Sequence, residues 1–400
     1  MSPQSRWLQF NPWQALTLFM VALVTLTSGC ARQEDNPLYA PSAQLAPYQQ
    51  ASFSEYVQQT QAHLAANRVF LSSHQAEEVA LNSPWQRAPA QPAKRGILLV
   101  HGLGDSPYYF TDLAEPLLQQ GFIVRSLLLP GHGTRPADLM LPQLQDWQQM
   151  LEHQLALLQQ EVDEVWLGGY STGANLVTSA AIQHPNVAGL LLFSPGFVPG
   201  SALVRFAPWI SWVMPWADQD PALNPLRYDS LPMQGAALYY QSVEHVQQQL
   251  KEKGYNKPTL MVLSEGDSVL DSRAIAHLFD QHFSHPASQL LWLGDNPPAL
   301  PRLQAFSMKL PELRISQGSH MSPLFSAENP YYGRQGSQRI CNNGQSLEAE
   351  QACQQGATTW YGPWGYQEPG KIHARLSWNP YFSQVSAAIQ QLLSPLPAGA

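Results

Sequence analysis

Residues 164–184 read EVWLGGYSTGANLVTSAAIQH, and this stretch decides the fold. An apolar run over 164–170 predicts a buried strand, and a helix is expected over 172–184. Ser171 then lies on the turn between them, where glycines are needed because the backbone doubles back sharply. Such a turn raises the hydroxyl to the end of the strand, above a helix N-terminus that favours developing negative charge. The pattern predicts a nucleophilic serine, and a glycine-rich turn without chemistry is the alternative interpretation.

The rest of the chain alternates between apolar runs and helical patterns. The predicted strands cover residues 96–100, 122–129, 164–170, 187–194, 259–264 and 289–293. The predicted helices cover residues 54–80, 107–120, 142–160, 172–184, 271–283 and 380–393. This order predicts an α/β fold with a mainly parallel central sheet and helices on both faces. We expect one domain over 54–400, interrupted by a helical cap at about 197–257 and an insertion at about 322–378.

A second glycine-containing loop, His101-Gly102-Leu103-Gly104, follows the strand at 96–100. In a fold with a nucleophilic serine on such a turn, this loop supplies one backbone N–H to an oxyanion hole, and the residue after the serine supplies another. We assign these donors to Leu103 and Thr172. Backbone donors of this kind are worth roughly 3–4 kcal/mol each in such sites.

An acidic residue is expected after a later strand, where it holds a histidine in the correct tautomer. The segment 264–271 reads SEGDSVLD and follows the strand at 259–264. We choose Asp267, with Asp271 as the runner-up. Capping of the helix that begins near 272 is the structural alternative, and it suits Asp271 better.

The histidine comes last in the chain order of this fold. The candidates after Asp267 are His277, His282, His285, His320 and His373. The first three lie on or just beyond a helix, and the last lies close to the end of the fold. His320 lies in a glycine-containing loop and is our choice. Its distance of 53 positions from Asp267 leaves room for an extra element within 294–312.

Residues 129–134, LPGHGT, complete a set of motifs with the loop at 101–104 and the serine turn. Together they resemble the monoacylglycerol lipase and lysophospholipase branch of the α/β hydrolases, over about 96–195 and 258–325. The resemblance implies ester hydrolysis on an acyl ester, with a mobile cap and no cofactor. It also implies that His132 is a structural loop residue.

Between Leu203 and Trp216, apolar residues lie on nearly every side of a helix. Such a segment is buried, faces lipid or lines a pocket. We expect Trp209, Trp212 and Met214 to form the wall that receives an acyl chain, with packing on the rest of the domain as the alternative.

The N-terminus has the layout of a secretory signal, with an apolar stretch over 13–26 that ends in Thr27-Ser28-Gly29-Cys30. This ending resembles a bacterial lipobox, in which the cysteine is lipidated and becomes the new N-terminus, although Thr27 stands where leucine is usual. We therefore expect a lipoprotein signal over 1–30 and a tether over 31–53. An uncleaved anchor and ordinary cleavage are the alternatives. Ala31 is compatible with sorting to the outer membrane, so we expect a lipid-anchored protein of the cell envelope, facing the periplasm or the cell surface.

The chain has three cysteines, and if Cys30 carries lipid then Cys341 and Cys353 form an even pair. In an oxidising compartment we expect these two to form a disulfide, and two free thiols are the alternative.

Several classes of protein are disfavoured. The net charge of −8 provides no basic surface on the scale that nucleic acid requires. The histidines are scattered, and the sequence contains no H-E-x-x-H motif and no cysteine pair at metal-ligand spacing, so we expect no metal. A peptidase or acyltransferase on the same three residues stays open because the fold does not fix the substrate. A binding lipoprotein without catalytic activity is the alternative from a different class.

Overall fold

The computed structural model describes residues 36–394. The predictions for the signal peptide and Cys30 lie outside the described residues, as do those for the first residues of the tether. The strands are β1 (Trp85–Arg87), β2 (Arg95–Val100), β3 (Phe122–Leu127), β4 (Glu164–Tyr170), β5 (Val187–Phe193), β6 (Trp216–Asp218), β7 (Leu231–Pro232), β8 (Thr259–Ser264), β9 (Gln289–Leu293), β10 (Leu303–Phe306), β11 (Thr359–Gly362) and β12 (Ile372–Arg375).

The α-helices are α1 (Phe53–Asn67), α2 (Gln75–Asn82), α3 (Ala114–Gln119), α4 (Leu144–Gln159), α5 (Thr172–Gln183), α6 (Ala207–Ile210), α7 (Met233–Lys253), α8 (Ser272–His282), α9 (Leu347–Gln354) and α10 (Phe382–Leu393). Short 3-10 turns add to them, among which Pro107–Phe110, Ala202–Phe206 and Pro311–Leu313 concern the site or its supports.

Eight strands form the central sheet in the order β1-β3-β2-β4-β5-β8-β9-β10. Only β1 pairs antiparallel, and the other neighbours are parallel. The central strands are apolar and buried along nearly their whole length, because helices cover both faces and each side chain meets a helix on one face or the other. The predicted α/β fold with a mainly parallel sheet is confirmed. The interval 294–312 contains β10, which extends the sheet by one strand, and a 3-10 turn.

Two predicted helices are broken in the structure. The single helix expected over 54–80 is α1 and α2, because the chain leaves the helix at Arg68 to form a buried ion pair of 2.9 Å with Glu78. The helix expected over 107–120 begins as the 3-10 turn Pro107–Phe110, whose four side chains are all buried, and continues as the short α3. In both cases tertiary contacts override the helical pattern.

The cap and the insertion lie where the alternation of strands and helices is interrupted. The cap contains the turn Ala202–Phe206, α6, the short β6–β7 pair and the long helix α7. The insertion contains α9 and the parallel pair β11–β12, and Cys341 and Cys353 form a disulfide with a Cα–Cα distance of 5.7 Å. The predicted disulfide is confirmed.

The segment from 36 to 52, expected to be a tether, lies against the domain rather than extending away from it. The backbone N–H and the hydroxyl of Ser42 both donate to Asp138, and Tyr48 donates its hydroxyl to Asp146. The ring of Tyr39 meets Trp216 of the cap at 4.9 Å between centroids. Within the described span of 36–394, no helix combines the length and the apolar character needed to cross a bilayer.

Candidate active site

Ser171 lies at the turn between β4 and α5, as its sequence context predicts. Its backbone has φ 52° and ψ −119°, a conformation that side-chain-bearing residues rarely adopt and that marks a strained functional turn. The flanking glycines are needed for space. A Cβ at Gly169 would lie 2.5 Å from the backbone nitrogen of Ala174, and one at Gly173 would collide with the carbonyl oxygen of Val100. The turn therefore places one hydroxyl at the carboxyl end of the sheet.

The three residues chosen from the sequence meet at this edge. The Nε2 atom of His320 lies 3.0 Å from Oγ of Ser171, and its Nδ1 atom lies 2.6 Å from Oδ2 of Asp267. The other carboxylate oxygen of Asp267 accepts the backbone N–H groups of Val269 and Leu270 at 2.8 and 3.0 Å. Both carboxylate oxygens of Asp267 are therefore held by hydrogen bonds. This is the hydrogen-bonded order of a serine-hydrolase triad.

The other candidates lie elsewhere and have other contacts. Asp271 caps α8 by accepting the backbone N–H of Ala274 at 2.9 Å, as its structural alternative predicts. His277 is exposed on that helix, and His285 follows it. His373 is buried in the insertion, 3.3 Å from Glu368.

The loop that carries His320 is held by two serines that the sequence analysis did not identify. Ser194, directly after β5, donates its hydroxyl to the carbonyl oxygen of His320 at 2.9 Å. Ser319 donates its hydroxyl to the carbonyl oxygen of Leu376 in the insertion at 2.5 Å. Sequence offers one signal for Ser194, which is its position at the end of a central strand, whereas nothing in the sequence connects Ser319 with Leu376.

The loop at 101–104 lies beside the serine, as expected for half of an oxyanion hole. A Cβ at Gly102 would lie 3.0 Å from Cβ of Ser171, so only glycine allows this approach. Within residues 36–394, neither the N–H of Leu103 nor that of Thr172 donates a hydrogen bond to another protein group. Thr172 is also the first residue of α5, where the helix dipole adds positive potential. Both predicted donors are therefore available to a ligand.

Two buried histidines fix this loop. His101 accepts the backbone N–H of Leu129 on Nε2, and His132 accepts the backbone N–H of Gly104 on Nε2, at 3.1 and 3.0 Å. Burial lowers the pKa of His101 to about 4 and that of His132 well below its usual value. Both rings are therefore neutral acceptors that join the loop at 101–104 to the segment at 129–132. His132 has the structural role that the resemblance implies.

Asp105, just after this loop, is a further charged group near the site that the sequence analysis missed. Burial raises the pKa of its carboxyl to about 6, against the opposing effects of the Tyr109 hydroxyl and of the positive charge of Arg227. Its position immediately after the HGLG motif was the available signal.

The structure does not bring Trp209, Trp212 and Met214 to the serine, which corrects the prediction of an acyl-chain wall. The two tryptophans are 73% and 87% exposed, and Met214 is 44% exposed. The open groove that Trp212 borders includes none of the three residues of the triad. The physical reason is that the inner face of α6 is occupied by Ala207, which packs on the first turns of α7.

The part of the cap that approaches the oxyanion loop is instead the start of α7. A Cβ at Gly235 would lie 3.6 Å from the side chain of Leu103, and Cβ of Tyr228 lies 3.6 Å from the corresponding position on Gly104. Residues 228–235 therefore cover the oxyanion loop. In the described part of the chain, no cluster of three or more histidine, cysteine, aspartate or glutamate side chains has the arrangement of a metal site.

A serine, a histidine and a carboxylate in this order, at the carboxyl edge of a mainly parallel sheet, define the class of α/β-type serine hydrolases. Residues 97–330 match the Alpha/beta hydrolase family, which is more than half of the chain. The chain belongs to this family.

Individual relatives are more distant. The chain is 27% identical over 184 residues to a thermostable monoacylglycerol lipase of Bacillus sp. (strain H-257), covering 44% of this chain and 71% of that protein. It is 35% identical over 154 residues to a pimeloyl-[acyl-carrier protein] methyl ester esterase of Aromatoleum aromaticum, covering 35% of this chain and 57% of that protein. Among solved structures, one from a study of the metagenome-derived lipolytic enzymes LipS and LipT is similar at a TM-score of 0.47 and 22% identity, over 53% of this chain and 87% of that one.

Proposed function

We propose that this protein is a serine hydrolase that cleaves carboxylic esters through an acyl-enzyme on Ser171. The observation that carries the proposal is the continuous hydrogen-bonded chain from Ser171 through His320 to Asp267, with distances of 3.0 and 2.6 Å. Family membership supports the reaction class, and the relatives named above are a lipase and an esterase.

In the acylation step, Oγ of Ser171 attacks the carbonyl carbon of the ester while Nε2 of His320 takes the hydroxyl proton. Asp267 stabilises the imidazolium that forms and keeps the ring in this orientation. The carbonyl oxygen becomes an oxyanion that accepts hydrogen bonds from the N–H groups of Leu103 and Thr172. When this intermediate collapses, the bond to the alcohol oxygen breaks, and His320 gives its proton to the leaving alcohol.

Deacylation repeats these steps with water as the nucleophile. His320 takes a proton from the water as its oxygen attacks the acyl carbon, and the same two N–H groups bind the second oxyanion. The bond to Oγ then breaks, the acid is released, and Ser171 regains its proton from His320. The complete cycle converts one ester and one water into a carboxylic acid and an alcohol.

The finer proposal is that the substrate carries a fatty acyl chain, as a monoacylglycerol or a lysophospholipid does. The LPGHGT, HGLG and GYSTG motifs support this because of the branch that they resemble, and a monoacylglycerol lipase is among the relatives. We also propose that Cys30 is lipidated and holds the protein in the cell envelope. The anchor would keep the protein at membranes in which such lipids occur. The disulfide between Cys341 and Cys353 supports an oxidising compartment.

Labelling with a fluorophosphonate probe, followed by a panel of esters with acyl chains of increasing length, tests the proposal. Wild-type protein should be labelled once, and Ser171→Ala should lose both labelling and hydrolysis. Ser179→Ala is the matched control, because Ser179 is also buried on α5 but lies two turns beyond the site. Unchanged labelling of the Ser171 variant would contradict the assignment.

A further inference from the structure

The outer surface of the cap carries a group of exposed apolar side chains, which we call the cap patch. It consists of Leu203, Trp209, Trp212, Val213 and Met214. Leu203 and Trp209 are each 73% exposed, and Trp212 and Val213 are 87% and 84% exposed. Trp212 and Val213 follow Trp209 by three and four positions, in the turn that continues α6 through the bonds from their N–H groups to the carbonyl oxygens of 209 and 210, and all three side chains are exposed. Exposed apolar surface gathered in this way marks an interaction site more often than isolated exposed residues do.

The contacts that hold this segment to the domain come from other side chains. The inward side of the same segment is formed by Ala207 and Ile210, which pack against Met233 and Ala237 of α7. The segment is therefore held to the domain without the exposed rings. Two tryptophans with most of their surface in water cost free energy unless a partner covers them.

The composition of the segment fits a lipid surface. From residue 197 to 217 the only charged side chain is Arg205, which lies over the ring of Phe206 at 4.7 Å. Tryptophan rings with a nearby cation suit the boundary between lipid headgroups and acyl chains, since the ring is apolar and its N–H and the cation remain near water. The absence of acidic residues from this stretch removes repulsion from anionic headgroups.

The position of the N-terminal segment also supports a lipid surface as the partner of the cap patch. The turn Pro37–Tyr39 lies at the cap, with Tyr39 packed on Trp216, only two residues after Met214. Six residues separate Cys30 from Pro37, and the seven steps along a fully extended chain span at most about 25 Å. A lipid attached at Cys30 would therefore hold the cap close to the membrane.

We propose that the cap patch docks on the surface of a lipid bilayer, with the tryptophan rings at the level of the headgroups. This proposal rests in part on the lipid attachment proposed above. It adds that the attached protein has a defined orientation on the membrane. The first turns of α7 separate α6 from the side chain of Leu103, so docking places the covered oxyanion loop one helix away from the lipid.

Fluorescence of a probe on the patch tests the contact directly. The full chain carries Cys30→Ser together with Val213→Cys, so that the new thiol is free while Cys341 and Cys353 remain bonded. The matched control is Leu347→Cys in the same background, because Leu347 is also apolar and 68% exposed but lies on α9. Each thiol is labelled with an environment-sensitive dye and titrated with phosphatidylethanolamine–phosphatidylglycerol vesicles.

The dye at 213 should shift to the blue and should be quenched by brominated acyl chains, whereas the dye at 347 should do neither. Equal responses at both positions, or none at 213, would overturn the proposal. A blue shift at 213 without vesicles would also overturn it: dependence on protein concentration would identify a second copy as the occupant, and independence would identify the apolar stretch at 13–26.

A kinetic experiment adds a second readout. The double variant Trp209→Ser, Trp212→Ser should lose roughly tenfold in hydrolysis of vesicle-borne esters, because two rings no longer bury apolar area. Its rate on a short water-soluble ester should be unchanged, and Trp364→Ser, an exposed tryptophan of the insertion, should change neither rate. Equal losses on both substrates would contradict docking. If no ester is hydrolysed at all, the proposed function fails while the fluorescence result still decides the contact.

Discussion

Acid should destabilise this fold through His101 over a defined pH range. The ring is fully buried, donates from Nδ1 to the carbonyl oxygen of Gly102, and accepts the N–H of Leu129 on Nε2. Burial lowers its pKa from 6.5 to about 4. The folded protein therefore keeps this ring neutral at pH values where the unfolded chain already binds a proton.

The sign and the size of the change in unfolding free energy follow from this difference in protonation between the two states. Below pH 6.5 the unfolded state gains a proton that the folded state does not bind until about pH 4, so stability falls as the pH falls. From pH 7 to pH 5 this one residue should cost about 2 kcal/mol of unfolding free energy. The full loss, reached below pH 4, is about 3 kcal/mol. His132, with its pKa also lowered by burial, acts in the same direction.

Denaturant titrations of wild-type protein and His101→Gln at pH 7, 6 and 5 isolate the effect. Glutamine retains an acceptor for the N–H of Leu129 but does not titrate, so the variant should lose about 2 kcal/mol less than wild type between pH 7 and 5. Only the change with pH is compared between the two proteins, because the substitution also changes packing and therefore the unfolding free energy at any one pH. His277→Gln, at an exposed position, should follow the wild-type curve. Parallel curves for wild type and His101→Gln would refute the reasoning.

Four further results are expected. Asp267→Asn should lower kcat by roughly 10³–10⁴-fold, because the amide cannot replace the carboxylate facing Nδ1 of His320, whereas Asp271→Asn should retain activity since that side chain only caps α8. Asp105→Asn should remove a loss of unfolding free energy that wild type shows as the pH rises from about 4 to 7, because burial raises the pKa of this carboxyl to about 6 and its ionisation opposes folding; parallel pH profiles for the two proteins would exclude this effect. Replacing Cys341 and Cys353 by serine should cost about 3 kcal/mol in a denaturant titration, and no change would contradict a stabilising bond. Cys30→Ser should release the protein from membranes in an alkaline carbonate wash, and if it stays bound, the stretch at 13–26 is itself the anchor.

The meeting of Ser171, Asp267 and His320 could be predicted because each residue has a local signature. Ser171 lies in a glycine-flanked turn after an apolar strand, Asp267 follows another strand, and His320 lies in a glycine-containing loop later in the chain. The same local reasoning distinguished Asp271 from Asp267 as the residue better suited to cap a helix. The bond from the backbone N–H of Ala274 to Asp271 confirms that it caps α8. Parallel strands bring their carboxyl ends to one edge, so local signatures were sufficient to bring distant residues together.

The supports of the site could not be predicted, because they depend on contacts between distant segments. Ser194 and His320 are 126 positions apart, and the break between α1 and α2 follows from the burial of Arg68 against Glu78. The predicted orientation of Trp209 and Trp212 was wrong for a different reason. A segment that is apolar all round has no stripe that distinguishes its inner from its outer face. Only the contacts of Ala207 with α7 settle which side faces water.

The bond from Ser319 to the carbonyl oxygen of Leu376 has a consequence for biosynthesis. Leu376 lies beyond the segment that matches the family, in the final part of the fold, next to β12. The histidine loop therefore lacks this support until the ribosome has passed Leu376. A nascent chain can assemble β2, β4 and the serine turn long before it can hold His320 in place. The ring that hydrogen-bonds Ser171 is thus fully supported only after Leu376 has been made.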